Sequence, residues 1–204
     1  MPSPSKRPAH RPSRRALIVA AALELIAENT PDTVTIANIA VAAQMTSAAV
    51  YYHYPSREAI LLEGFQDVSR TYRAAVRRGV ARTKEDGSVR HVPREILEWA
   101  QASVGARAYV LSASGLSSSV EAVLRDDRIY AVLQLRQAVR AIRPGVRPPQ
   151  ASILAVALLS LVETALSSSL HQDRVRRSVS RTRFREEVEE LAELAVLGDA
   201  APGQ

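Results

Sequence analysis

The stretch that decides the fold covers residues 35–58 and reads TIANIAVAAQMTSAAVYYHYPSRE. Its first half repeats apolar residues at helical spacing after Thr35, a residue type that caps helix N-termini well. Only Gln44-Met45 separate this pattern from a second one. Thr46 caps the second pattern and Pro55 ends it, because the residue before a proline is pushed out of the α region. The stretch therefore predicts two short helices joined by a tight turn.

Such a pair is what a helix-turn-helix needs, since its second helix enters a DNA major groove about 12 Å wide. Some residues of the pair can form a small core, while exposed tyrosine and histidine on a two-turn helix are hard to explain by packing. Phenol, hydroxyl and imidazole groups are good partners for phosphate oxygens. The predicted core is Ile36, Ile39, Ala40, Ala43, Met45 and Val50, and the predicted outward set is Gln44, Thr46, Ser47, Ala48, Tyr51, Tyr52 and His53.

The remaining chain shows helical periodicity, with no alternating strand pattern and no internal repeat. We predict an all-α fold of eight or nine helices: an N-terminal three-helix domain with the helix-turn-helix, then a larger helical domain. A single apolar stripe from Leu97 to Leu111 predicts one helix there. The predicted domains are a flexible basic arm at 1–13, a helix-turn-helix domain at 14–55, an effector-binding and dimerisation domain at 56–198, and a tail at 199–204.

The formal net charge of +6 suits a polyanionic partner. Of the 27 basic residues only Lys6 and Lys84 are lysines, a bias that a GC-rich genome also produces, so the charge alone does not decide the function. No secretory signal opens the chain, which favours a cytoplasmic protein. The apolar run from Ala151 to Leu170 carries Glu163 and several serines, so we interpret it as a buried helix and expect no membrane contact.

Nothing in the sequence indicates an enzyme. There is no cysteine, and neither a His-Glu-x-x-His pattern nor a phosphate-binding loop occurs. We therefore expect no catalytic residue, no metal site and no cofactor. The scattered histidines are His10, His53, His91 and His171.

Residues 35–58 resemble the signature of the tetracycline-repressor-like (TetR) family of transcriptional regulators. That signature runs Thr, three residues, Ile-Ala, two residues, Ala-Gly-Val-Ser, then Tyr-x-His-Phe and Ser-Lys-Glu. Gln44 stands at the turn glycine, so it must accept a left-handed backbone or the turn must open slightly, at a cost of about 1 kcal/mol. Tyr54 replaces the phenylalanine, Arg57 the lysine, and Ala48 a small residue that is often glycine.

The resemblance implies a role for each matching residue. Thr35 would contact phosphate from the second helix, and Gln44 is placed to reach DNA. No formal charge occurs from 35 to 55, so charge must come from Arg57, the basic arm, Arg14 and Arg15. The residues implied to address bases or sugars are Thr46, Ser47, Ala48 and Tyr52, and those implied to hold phosphates are Tyr51, His53 and Arg57.

The helix predicted at 151–172 is apolar all round, which requires burial on every side. With the helix at 181–197 it suggests a two-fold four-helix interface, and the resemblance also implies a homodimer. The family's larger half usually holds a small molecule, so we expect a small-molecule effector beside double-stranded operator DNA. The candidate interface residues are Leu158, Leu161, Val162, Leu191 and Leu194, and the candidate effector-lining residues are Trp99, Arg107, Tyr109 and Glu163.

The function that these observations favour is a sequence-specific DNA-binding regulator, a repressor that a ligand releases from its operator. Two alternatives stay open at this stage. One is a helical DNA-packaging protein, which would spread basic residues over one face. The other is a protein-interaction module whose helix-turn-helix no longer binds a specific operator.

Overall fold

A computed structural model of the chain describes residues 12–111, 115–171 and 179–198. Within these ranges there are nine α-helices, one short 3₁₀ turn at Pro31–Thr33 and no strand. The all-α prediction is therefore confirmed. The helices are α1 (Arg14–Glu28), α2 (Ile36–Ala42), α3 (Ser47–His53), α4 (Arg57–Asp86), α5 (His91–Ala102), α6 (Val104–Leu111), α7 (Ser118–Ile142), α8 (Pro148–His171) and α9 (Arg181–Leu197).

The first three helices form a small N-terminal unit around fully buried Ile18, Ile39 and Val50. Side-chain caps fix where its helices begin, because a hydroxyl oxygen satisfies an amide that has no partner within the helix. Ser13 accepts a hydrogen bond from the Ala16 amide at 3.2 Å to start α1. The predicted basic arm lies almost entirely outside the described residues, as does the predicted tail.

Helix α4 is the longest of the described helices and packs against several of the others. Ser56 caps it by accepting from the Ala59 amide at 3.2 Å, and Gly87 ends it with a left-handed φ of 77°. It packs against α1 at one end and against α5, α6 and α7 further along. Thirty residues at 1.5 Å each make it about 45 Å long. It therefore joins the N-terminal unit to the larger helical half.

The crossing of α4 and α5 depends on one glycine. A Cβ added at Gly79 would lie 2.8 Å from the Cα of Val92 and 3.1 Å from the carbonyl oxygen of His91. These are backbone atoms, which cannot rotate away as a side-chain end could. The two helices are thus in backbone contact at Gly79, and no other residue type fits there without moving one of them.

The predicted single helix through Leu111 is wrong. Ser103 has extended backbone angles, φ −152° and ψ 154°, and it separates α5 from α6. Its hydroxyl then accepts from the Ala106 amide at 3.1 Å, so the side chain caps the new helix. Serine competes for backbone hydrogen bonds in this way, and that local bond outweighs the apolar periodicity.

Helix α8 lies across the larger half, between α7 and α9. Its buried residues follow one broad face and include Ala151, Ala155 and Leu159. By length and composition alone it could cross a membrane, a test that the core helix of a soluble protein also passes. It begins at Pro148 rather than at the predicted 151, because prolines are tolerated in a first helical turn.

Candidate nucleic-acid interface

A reciprocal cap positions the start of α2. The Thr35 hydroxyl accepts from the Asn38 amide at 3.2 Å, and the Asn38 side-chain oxygen accepts from the Thr35 amide at 3.1 Å. This capping box satisfies two amides that the helix leaves unpaired. Asn38 was missed in the sequence analysis, although a polar residue three positions after a threonine cap is the signal for it. Thr35 remains exposed, but its hydroxyl is held by the cap.

The turn between α2 and α3 settles the question that Gln44 raised. Its φ is 56°, the left-handed conformation, so the residue accepts the backbone of the family's glycine and the turn does not open. The Met45 amide donates to the Ala40 carbonyl at 2.8 Å, which closes the turn tightly. A residue with a Cβ costs about 1 kcal/mol in this conformation. The Gln44 side chain is exposed beside α3.

Helix α3 separates a buried side from an exposed one. Val50 is fully buried, while Tyr51 is 56% exposed and Tyr52 is 87% exposed. The predicted small core is confirmed, because each of its members is buried or packed against buried residues. The exposed set is Thr46, Ser47, Ala48, Tyr51 and Tyr52, and the His53 ring packs edge-on against Tyr52 with ring centroids 5.2 Å apart.

Thr46 has a second role within this set. Its hydroxyl accepts from the Ala49 amide at 3.1 Å and caps α3. Its oxygen is thereby committed to the helix, whereas the hydroxyl of Ser47, one residue later, has no such bond with the described residues. The polar atoms that α3 offers outward are thus those of Ser47 and the two tyrosines.

Arg15, which was expected from its charge to serve DNA binding, is engaged within the protein. Its guanidinium carbon lies 4.1 Å from the centroid of the Tyr54 ring, and it donates to the His53 carbonyl at 2.8 Å. It also forms an ion pair with Glu63. Because His53 and Tyr54 end α3, Arg15 ties that end to α1 and α4.

Tyr54 and Glu63 complete this cluster. The buried Tyr54 donates its hydroxyl hydrogen to Glu63 at 2.9 Å. Burial, with the hydrogen bond and negative charge of Glu63, raises the pKa of Tyr54 to about 12. Burial alone would raise the pKa of Glu63, but hydrogen bonds from Arg15 and Tyr54 outweigh it and lower that pKa. Neither Tyr54 nor Glu63 was assigned to this role from sequence.

Arg57 is also engaged within the protein. It donates to the Pro31 carbonyl, pairs with Glu58 at 3.2 Å and has only 19% of its side chain exposed. In the free protein it thus braces the 3₁₀ turn between α1 and α2 against α4, and its contact with a phosphate stays a prediction. Arg14, in contrast, is exposed and has no hydrogen bond or ion pair with any described residue.

The larger half contains a cavity of about 510 Å³. Trp99, Tyr109 and Glu163 line it, whereas Arg107 is exposed on α6 and does not. The rings of Tyr72 and Trp99 lie 5.1 Å apart, and those of Tyr72 and Tyr109 lie 5.4 Å apart in a stacked arrangement. The volume falls within the ~300–1,000 Å³ typical of small-molecule sites.

A buried carboxylate connects this cavity to α4. Asp127 of α7 is fully buried and accepts from the Tyr109 hydroxyl at 2.9 Å and from the Ser69 hydroxyl at 2.8 Å. Arg73 of α4 forms an ion pair with the same carboxylate. Burial, followed by the charge of Asp127, raises the pKa of Tyr109 well above its usual value, so its hydroxyl stays protonated. This network was not anticipated from sequence.

Two of the predicted interface residues point into the subunit's own core rather than toward its surface. Leu158 and Val162 are fully buried in the subunit's own core, so they have no surface for a partner. Leu161 is partly buried, and Leu191 and Leu194 are exposed on α9. The other large exposed apolar residues of α8 and α9 are Ile153, Val156 and Leu197.

The N-terminal unit, with its capped helices, tight turn and exposed polar helix face, defines a helix-turn-helix DNA-binding regulator. Residues 18–63 match the model for bacterial regulatory proteins of the tetR family. The chain is therefore a DNA-binding transcriptional regulator with the N-terminal domain of the tetR family.

The fold of the described residues is similar to that of solved regulators. The fatty acid degradation regulator FadR from Bacillus halodurans has a TM-score of 0.71 at 12% identity, over 94% of this chain and 99% of that one. NalD from Pseudomonas aeruginosa, the secondary repressor of the MexAB-OprM multidrug efflux pump, has a TM-score of 0.67 at 20% identity, over 91% of this chain and 98% of that one. PfmR from Thermus thermophilus has a TM-score of 0.67 at 20% identity, over 91% of this chain and 97% of that one. No curated protein sequence matches the chain significantly.

Proposed function

We propose that this protein is a cytoplasmic, homodimeric repressor that binds a palindromic operator through α3 and leaves it when a small molecule occupies the cavity. The observation that carries the proposal is α4, which begins beside α3 and contributes Tyr72 to the cavity wall. One stiff helix thus belongs to both sites. The proposed function of the protein requires binding only, with no catalytic step.

The proposed contacts with DNA follow the exposure of α3. Ser47 and Ala48, at its N-terminal end, would meet base edges, and Tyr52 a base or sugar. Tyr51, His53 and the exposed Thr35 and Gln44 would contact the backbone. Arg14 is the cation that lies free at the start of α1, so it would supply phosphate charge, whereas Arg15 and Arg57 are engaged within the protein.

Dimerisation would bring two N-terminal units, the DNA-binding heads, to one operator. Ile153 and Val156 of α8 and Leu191 and Leu194 of α9 recur at helical spacing on the exposed surface. Apolar stripes on two adjacent helices suit a two-fold interface, since each copy presents the same surface. The two heads would then meet successive major grooves about 34–36 Å apart.

Release would follow from tilting α4. A ligand that moves Tyr109 would disturb Asp127, and through Asp127 the two residues of α4 that bind it, Ser69 and Arg73. Because both heads must fit their grooves at once, a few ångströms of displacement would lose contacts. A coupling of about 1–3 kcal/mol is sufficient for regulation, and operator DNA must weaken ligand binding by the same factor.

Selection from random duplex DNA tests the DNA-binding half of the proposal. We expect an enriched site with two-fold symmetry, bound more tightly than random DNA at matched salt. An absence of enrichment would favour the packaging or interaction alternatives. Operator affinity measured across a metabolite and drug panel, together with melting shifts, tests the control: compounds that raise the melting temperature through the cavity should weaken operator binding.

A further inference from the structure

Two aromatic residues of the cavity wall, Trp99 and Tyr109, have their polar atoms already satisfied. The Trp99 indole donates to the Thr71 hydroxyl at 2.9 Å, and the Tyr109 hydroxyl donates to Asp127 at 2.9 Å. Trp99 and Tyr109 lie nearly perpendicular with centroids 5.5 Å apart. Their ring surfaces, rather than their hydrogen-bonding groups, are what remains for a ligand. Such a wall suits a flat apolar molecule, since aromatic rings pack best in stacked or edge-to-face contacts.

The Tyr72 hydroxyl faces the cavity without a partner among the described residues. Tyr72 is almost fully buried and lines the cavity, and its hydroxyl has no hydrogen bond with any described residue. Burial, followed by the negative charge of Glu163, raises its pKa well above the usual value, so it stays protonated and can donate. The hydroxyl oxygen itself is accessible from the cavity. A ligand oxygen beside Tyr72 would accept its hydrogen bond.

The charged residues around the cavity leave an excess of one positive charge. Arg128 of α7 forms an ion pair with Glu163 of α8, and both line the cavity. Arg125, one turn earlier on α7, also lines it and has no hydrogen bond or ion pair with any described residue. A guanidinium offers two parallel donors that match a carboxylate. The site therefore favours an anion over a cation.

We propose that the cavity takes a flat aromatic molecule that carries a single carboxylate, with its rings against Tyr72 and Trp99 and its acid group toward Arg125. The proposal rests on the effector site proposed above and names the chemical class of its ligand. Rings alone would admit any flat apolar compound. The free guanidinium restricts the class to aromatic acids.

Calorimetric titration of the full chain with four matched probes tests this class. The probes are naphthoate, its neutral methyl ester, its saturated counterpart decahydronaphthoate and the cation naphthylmethylammonium. We expect naphthoate to bind most tightly. The ester and the saturated acid should each bind about tenfold more weakly, because each lacks one of the two interactions. The cation should bind most weakly.

Two variants locate the charge preference. Arg125→Gln should abolish the difference between naphthoate and its ester, while Arg136→Gln, an exposed arginine of α7 outside the cavity, should preserve it. Arg125 is exposed, so its replacement leaves the fold intact, and an unchanged melting temperature verifies this. Equal affinity for acid and ester in the unaltered protein would overturn the proposal, as would a preference that survives Arg125→Gln.

The control of DNA binding is a separate outcome. If naphthoate binds selectively but leaves operator affinity unchanged, the ligand class stands and the release mechanism fails. If the cationic probe releases the operator and naphthoate does not bind, the release mechanism stands and the ligand class is wrong.

Discussion

The Arg15 guanidinium lies over the Tyr54 ring, with its carbon 4.1 Å from the ring centroid. The two residues belong to the start of α1 and the end of α3, and Glu63 of α4 binds both. A single cluster of three side chains thus connects three helices next to the DNA-reading surface. We expect this cluster to hold α3 at a fixed angle.

We expect Arg15→Ala to lower both the melting temperature and operator affinity, because α3 loses its attachment to α1. Arg14→Ala is the matched control. It should lower operator affinity and reduce the salt slope, the slope of the logarithm of the binding constant against the logarithm of salt concentration, by about one. The melting temperature should not change. Fluorescence anisotropy against salt and thermal unfolding measure these effects. If Arg15→Ala affects only the salt slope, the residue is a phosphate contact after all.

Alkaline pH should weaken the Tyr54 contact. The folded pKa is raised from 10.0 to about 12, so the stabilisation is complete below pH 10 and is lost as the pH rises through about 12. Tyr54→Phe cannot ionise there. The difference in unfolding free energy between the natural protein and Tyr54→Phe should therefore shrink over this range. A difference that stays constant across it would contradict the assignment.

Gln44→Gly should stabilise the protein, because glycine adopts a φ of 56° without the steric cost that a Cβ brings. We expect a gain of roughly 0.5–1 kcal/mol, measured by denaturant unfolding. Gln44→Ala keeps the Cβ and is the control, so it should give no gain. If glycine lowers operator affinity while stabilising the fold, the Gln44 side chain contacts DNA.

Charge on the exposed stripes should separate the proposed dimer without unfolding it. Ile153 is 69% exposed and Leu194 is 52% exposed, so Ile153→Glu and Leu194→Glu should yield helical monomers. Leu158→Glu buries a charge in the subunit's own core and should unfold the chain instead. Sedimentation velocity and circular dichroism distinguish the two outcomes. Natural protein that sediments as a monomer at micromolar concentration would exclude this interface.

Substitutions on α3 should divide into two groups. Tyr51→Phe and His53→Ala each remove a polar contact and should weaken binding to all sequences by about 1 kcal/mol. Ser47→Ala should change which bases are preferred. Repeating the selection from random DNA with each variant measures both effects. A uniform loss for Ser47→Ala would move that residue from the bases to the backbone.

Local features were predictable from sequence to the extent that local chemistry decides them. The threonine caps, the proline stop and the apolar spacing place α2 and α3. At Gln44 the sequence left open whether the backbone would be left-handed or the turn would open. Contacts between distant segments were not predictable. Arg15 and Arg57 look like phosphate ligands in the sequence, and only the packing of α1 and the 3₁₀ turn against α4 shows that they are occupied.

The larger half was harder for a related reason. Helix α8 is apolar all round, so its periodicity cannot tell a face that meets its own subunit from one that meets a partner. Leu158 and Val162 were assigned to the wrong face for this reason. Likewise, the apolar stripe through Leu111 gave no sign that Ser103 would divide the helix.

The uncharged reading surface has a consequence for how quickly the protein finds its site. Attraction to random DNA is electrostatic and grows with the number of phosphates neutralised. Residues 35–55 contribute no formal charge, and Arg15 and Arg57 are bound within the protein. We expect such a surface, whose phosphate charge would come from Arg14 and the basic arm alone, to be held weakly at wrong sequences and to dissociate from them quickly. The length of its stay at an operator would then depend more on shape and hydrogen bonds than on charge.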